Sequence, residues 1–151
     1  MLMTTEELNN AVNKFGIETV TALATALRSV GADNTGRLIN SLRTELRDTG
    51  EGLEMMIIGN GYFDIVDKGR LPGKQPPLAD IVAWTKSKGL PESLAFPIAK
   101  NIGKFGIKPR PVLKQVVESN EFKKNFKLIG EAYARDVTQE INNIIKETNI
   151  K

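Results

Sequence analysis

The sequence contains neither cysteine nor histidine. Those two absences remove disulfide frameworks, thiolate nucleophiles, Cys/His zinc sites, Ser-His-Asp triads and imidazole general bases together. Aromatic residues are scarce at 6%, and the longest uninterrupted run of large apolar side chains is Met55 to Ile58. A bilayer crossing needs about 20 apolar residues, so no membrane partner is expected. The opening MLMTTEELNN turns polar within a few residues and lacks the apolar stretch of a signal peptide. A reducing cytoplasm is the expected place of synthesis.

What is present reads as an ordinary globular chain. Its 151 residues are 40% apolar and 26% charged, enough to bury a core and too apolar for intrinsic disorder, and a single domain over 1–151 is expected. The net charge of +3 is too small to imply a polyanionic partner by itself. It conceals a division, however. Residues 68–114 hold ten cations and two acids, a net +8, whereas the remainder holds eleven cations and sixteen acids, a net −5. A chain divided in this way favours contact with a polyanion or head-to-tail contact with copies of itself.

Periodicity places the elements. Leu8, Val12, Phe15, Val20, Leu23, Leu27 and Val30 recur at helical spacing and predict an amphipathic helix over about 4–30, opened by a Thr4–Glu7 capping box. Gly16 inside it costs about 1 kcal/mol relative to Ala, which points to a bend or a close contact. After the stop GADNTG, a short helix starting at Arg37, with Thr35 as its expected cap and carrying Leu38 and Leu42, gives way to alternating residues from about Ser41, and the glycines of DTGEG turn the chain into LEMMIIG, predicting a β-hairpin. Phe63 and Val66 fit a single helical turn ended by Gly69. Two short helices follow in an insertion at about 77–105, the first stopping at Gly89 and the second at Gly103 or Gly106. From Pro111, a long amphipathic helix is expected to about 147, with its stripe of Phe122, Phe126, Ile129, Tyr133, Val137, Ile141 and Ile144 on its own sheet and the residues after Asn142 fraying. The fold class is α+β: a small antiparallel, hairpin-based sheet packed against an N-terminal helix and a long C-terminal helix.

Candidate chemistry fails on spacing. Gly69 to Lys74 (GRLPGK) has three residues between its glycines where a phosphate loop has four, and Gln75 stands where Ser or Thr holds magnesium. Glu121 and Lys123 have the E-x-K form of metal-dependent nucleases but begin a helix where a strand is needed. Asp64 and Asp67, at i,i+3, are two carboxylates where a cation site wants more. The helix pair 81–88 and 92–102 resembles a helix-turn-helix, yet its second helix offers Glu92, Ser93, Leu94, Ala95 and Phe96 where base edges need Arg, Asn, Gln or Lys. No catalytic residue and no cofactor are expected, and the chain is read as a non-enzyme.

Three fragments, taken in order, carry a resemblance. TGRLINSL (Thr35 to Leu42), GYFDIVDKG (Gly61 to Gly69) and GIKPRPVLKQVVE (Gly106 to Glu118) resemble the tail-component family of tailed bacteriophages, the tail-completion or neck proteins. Members show a T-G-x-L-x-x-S element, a Tyr-containing turn with an acidic residue and Gly, and an R-P-F/V-L element entering a helix. The intervening helical stretch looks like the insertion found in many of them. Asp67-Lys68 stands where Glu-x is commoner, and Val112 replaces the frequent Phe. The resemblance implies a virion protein, assembled in the host cytoplasm, that forms a homo-oligomeric ring, dodecameric or hexameric, in the neck or tail and joins the portal or connector to the tail proteins.

Under that reading the partner surface falls on the basic segment, with Lys68, Arg70, Lys74, Lys108 and Arg110 as candidate interface residues. Pro109 and Pro111 fix the backbone on both sides of Arg110, which either reaches another subunit or bridges to Asp64 or Asp67 within the chain. The competing function is a nonspecific nucleic-acid-binding accessory protein using the cations of 68–114, in the virion against packaged DNA.

Overall fold

A computed structural model of the chain describes residues 6–32, 36–49 and 53–148. In order these form α1 (Glu6–Ser29), α2 (Arg37–Ser41), β1 (Arg43–Asp48), β2 (Leu53–Ile58), α3 (Tyr62–Lys68), α4 (Leu78–Ser87), a 3-10 turn at Glu92–Leu94, α5 (Ala95–Phe105), α6 (Val112–Val117) and α7 (Asn120–Thr148). The strands β1 and β2 make a two-stranded antiparallel sheet, and the fold is α+β with helix predominating. Thr4 and Thr35, expected as helix caps, and Gly50 and Gly52, expected in the hairpin turn, lie outside the described residues.

The described chain packs as two units. Residues 6–22, 43–49, 53–57 and 116–148 form the first, and residues 23–32, 36–42 and 58–115 the second. In the first unit α1 and α7 run antiparallel. Glu7 accepts a 2.8 Å ion pair from Arg135, while Glu18 accepts a 2.6 Å hydrogen bond from Asn125, so one helix ascends as the other descends. Leu8 and Val12 on α1 and Ala132 on α7 are buried together, with Met55 of β2 and Ile129 against them. Phe15 is sandwiched by Phe122 and Phe126 at centroid distances of 5.0 and 6.0 Å, both tilted, a geometry that suits the aromatic quadrupole. The expected packing of sheet, N-terminal helix and C-terminal helix is thus present.

Gly16 has its close contact. A Cβ there would lie 2.7 Å from the Thr44 hydroxyl oxygen and 3.2 Å from the Thr44 Cβ, so the missing side chain is what lets β1 approach α1. The helix keeps its glycine for packing, against its propensity.

Two features of the C-terminal region depart from expectation. The helix expected over about 111–147 is interrupted after Val117, because the Ser119 hydroxyl accepts from the Phe122 N–H at 3.2 Å and starts a new helix as its N-cap. Helix α7 then continues through Thr148 where fraying from Asn142 was expected. The apolar stripe packs only along its first half; from Thr138 to Thr148 every side chain is exposed.

The second unit buries Leu23 and Leu27 completely, together with Leu38, Leu42, Val66, Thr85, Ala95, Ala99 and Val112. The buried Thr85 hydroxyl donates to the Val82 carbonyl, so its burial strands no polar group. Leu27→Ala is expected to cost about 2–5 kcal/mol in urea unfolding. Gly16→Ala, which intrinsic propensity favours, should instead destabilise by about 1–3 kcal/mol through overpacking, and Thr44→Ala in the same chain should recover part of that loss. A stabilised Gly16→Ala variant would show that Thr44 gives way freely.

Candidate subunit interface

The basic surface is built by a seam in the second unit. Residues 66–70 run beside residues 107–113, held by four hydrogen bonds. Arg70 and Ile107 exchange both backbone bonds, at 2.9 and 2.8 Å, forming an isolated antiparallel bridge. The Arg110 N–H donates to the Val66 carbonyl at 2.8 Å. The Leu113 N–H donates to the Asp67 carboxylate at 2.9 Å. Helix α6 begins at Val112 behind Pro111, so Asp67 does from a distant part of the chain what a capping side chain does locally.

Glycine makes the seam possible. Gly106 has φ 72°, and a Cβ on it would collide with the Arg70 carbonyl oxygen; Gly69 has φ 75°, and a Cβ there would lie 2.5 Å from the Ile107 carbonyl oxygen. Beyond the bridge the loop 71–75 folds over the end of α5, where the Gly73 N–H donates to the Gly103 carbonyl at 2.8 Å and a Cβ on Gly103 would lie 2.8 Å from Gln75 Cγ.

The five cations expected at the interface divide by role. The Arg110 guanidinium donates to the Val30 carbonyl at 3.0 Å, satisfying a carbonyl just past α1 and placing positive charge at that helix's C-terminal end. It bridges to neither Asp64 nor Asp67, because Asp64 pairs with Lys68 at 2.9 Å and Asp67 is taken by the Leu113 N–H. Arg70 folds back onto the Lys74 carbonyl at 3.0 Å, stiffening the loop. Lys74 and Lys108 are exposed and, among the described residues, form no ion pair; Lys100 and Lys104 share that state. Two arginines therefore act chiefly as struts, Lys68 is paired with Asp64, and Lys74 and Lys108 present the charge.

Asp64 raises the Lys68 ammonium above its ordinary 10.5, first as hydrogen-bond partner and then as charge, with a smaller push from Asp67 against the cost of desolvation. A raised value means that the pair supports the fold while Lys68 is protonated and is lost as pH climbs through the folded-state pKa, above 10.5. Exposure of both side chains to water keeps the effect small.

Charge sorts by unit. Among described residues the second unit carries twelve cations and four acids, a net +8, and the first carries eight cations and twelve acids, a net −4. Composition pointed to the charge asymmetry, though not to the apolar side chains that share the basic surface. Leu71 is 87% exposed and Phe105 68%, and Lys104 Nζ sits 5.0 Å from the Phe105 ring centroid. Leucine between Arg70 and Pro72 in a Pro- and Gly-rich loop was the available signal, since nothing local can bury it.

The sequence motifs weighed for chemistry are separated. Glu121 lies in the first turn of α7, Asp64 and Asp67 have different partners, and among the described residues no cluster of three or more acidic side chains converges to hold a metal. No described helix is long and apolar enough to cross a membrane.

Asp67→Ala is expected to cost about 1 kcal/mol by uncapping α6. Gly106→Ala should cost more, about 2 kcal/mol or above, since it adds a steric clash to an unfavourable φ. Denaturant melts would order them, and the reverse order would mean that the seam bends around a new Cβ. No family profile, curated protein or solved structure shows significant similarity to the chain.

Proposed function

We propose that the protein is a non-enzymatic structural component of a tailed-phage virion, a neck or tail-completion subunit that forms a ring between portal or connector and tail. The observation that supports this reading is the convergence of the three fragments bearing the family resemblance. Residues 61–69 and 106–118 meet through the bonds from Arg110 to Val66 and from Leu113 to Asp67. The fragment ending at Leu42 is tied in by the Asn60 N–H, which donates to the Ser41 hydroxyl at 3.0 Å. Fragments far apart in sequence that build one local structure are what a shared architecture requires. Opposite charge on the two units adds a means for one copy to meet the next.

Light scattering after size exclusion tests the reading. A hexameric or dodecameric mass is expected at low salt, alone or with portal and tail partners, shifting toward monomer at high salt as surface charge is screened. A strict monomer under all of these conditions overturns it.

Lys74, Lys100, Lys104 and Lys108, exposed and without an ion pair among the described residues, favour one second reading, nonspecific binding to nucleic acid. It predicts a DNA mobility shift at low salt whose log–log salt slope falls by about one for each phosphate-contacting lysine removed. No shift at low salt excludes it.

A further inference from the structure

We propose that copies of this chain join head to tail by seating the Leu71–Phe105 tip of one copy on the exposed apolar stripe of α7 in the next, an interface that deepens the ring reading and rests on it for its partner. Each half presents apolar surface that its own unit does not bury. Leu71 and Phe105 are 87% and 68% exposed, and both are held by the Arg70–Ile107 bridge and the Gly73–Gly103 bond, so docking them orders little that was free. On α7, Ile141, Ile144 and Ile145 are 52%, 57% and 50% exposed, within a stretch from Thr138 to Thr148 that has no buried side chain. Three turns of helix without packing are marginal in water, and an isoleucine stripe on such an end gains stability from a partner.

Charge selects which surface that partner offers. Residues 68–76 and 100–110 contain seven cations and no acid, so tip against tip sets like charges together. The stripe offers the opposite sign: from Thr138 to Thr148 helix α7 carries Glu140 and Glu147 against one cation, Lys146, within the unit of net −4. Tip against stripe joins a wholly basic rim to the acidic side of the molecule around an apolar centre. Leu71 and Phe105 supply the anchors, and the lysines the rim.

The absence of native cysteine makes the contact directly testable. Full chains carrying Leu71→Cys or Ile144→Cys are purified separately, mixed at low salt and mildly oxidised. A disulfide-linked dimer is expected in the mixture at ten-fold or more over either variant alone, and it should fade at high salt. Leu71→Asp with Phe105→Asp, both at exposed sites, should leave the far-ultraviolet circular dichroism unchanged and reduce the low-salt mass to monomer. Cross-linking of Ile144→Cys with itself, of Leu71→Cys with itself, or of neither in the mixture overturns the interface. So does protection of Leu71→Cys from a thiol reagent by a DNA fragment when no mixed cross-link forms. Closed rings seen by electron microscopy without the mixed cross-link overturn this interface and leave the ring reading standing. Mixed cross-links in open chains do the reverse.

Discussion

The second unit depends on one seam, the backbone pairing of residues 66–70 with 107–113. Through it the end of α3 supplies the cap of α6, the loop after Gly69 is pinned to the end of α5, and Arg110 is aimed at the carbonyl that ends α1. Each bond is ordinary in strength, worth about 1 kcal/mol net. Their joint effect comes from rigidity: Pro109 and Pro111 restrict one strand of the seam, and Gly69 and Gly106 let the two strands approach closer than any side chain would allow. A loop of glycine, proline and lysine would ordinarily be mobile. Here the Arg70–Ile107 bridge and the Gly73–Gly103 bond tie it to the end of α5, with Leu71 of the loop and Phe105 of the helix both exposed.

Helices were legible in the sequence because their cause is local. The spacing of Leu8, Val12, Phe15, Leu23 and Leu27 sets the buried face of α1, and the same periodicity marked the buried half of α7. Even the close contact at Gly16 was legible, since a glycine inside a strong helical pattern needs a reason. Long-range polar pairing was not. Asp67 caps a helix 46 residues away and Arg110 reaches a carbonyl 80 residues away, and no periodicity records such partners. The break before α7 was hidden for a related reason: Ser119 is compatible with a helix interior, and only its hydrogen bond to the Phe122 amide shows that it acts as a cap.

The candidate surface was legible in charge and illegible in role. The basic stretch 68–114 falls wholly within the second unit, and the acidic excess belongs to the first. Counting cations could not separate those that hold the fold from those that face a partner. Arginine, with its planar fork of donors, satisfies carbonyls at fixed angles, and Arg70 and Arg110 are used in that way. Lysine, a hydrated point charge on a flexible stem, is left at the rim.

An interface between unlike surfaces has a consequence that one between like surfaces lacks. The proposed tip-on-stripe contact is heterologous, so each copy that docks would leave one tip and one stripe open, and association would continue into a closed ring or an open filament. Closure would satisfy the last pair without losing the freedom of another molecule, so the proposed ring would gain a contact at high effective concentration. Under the proposal each contact can then be small: two apolar anchors with a lysine rim would hold a closed assembly where they would make a weak dimer. The same logic explains why rigidity at the seam matters more than area. The rotation relating one copy to the next decides between a ring and a filament, and the angle at which Leu71 and Phe105 leave the surface is set by the Arg70–Ile107 bridge. A tip that swung freely would bind about as well and close nothing.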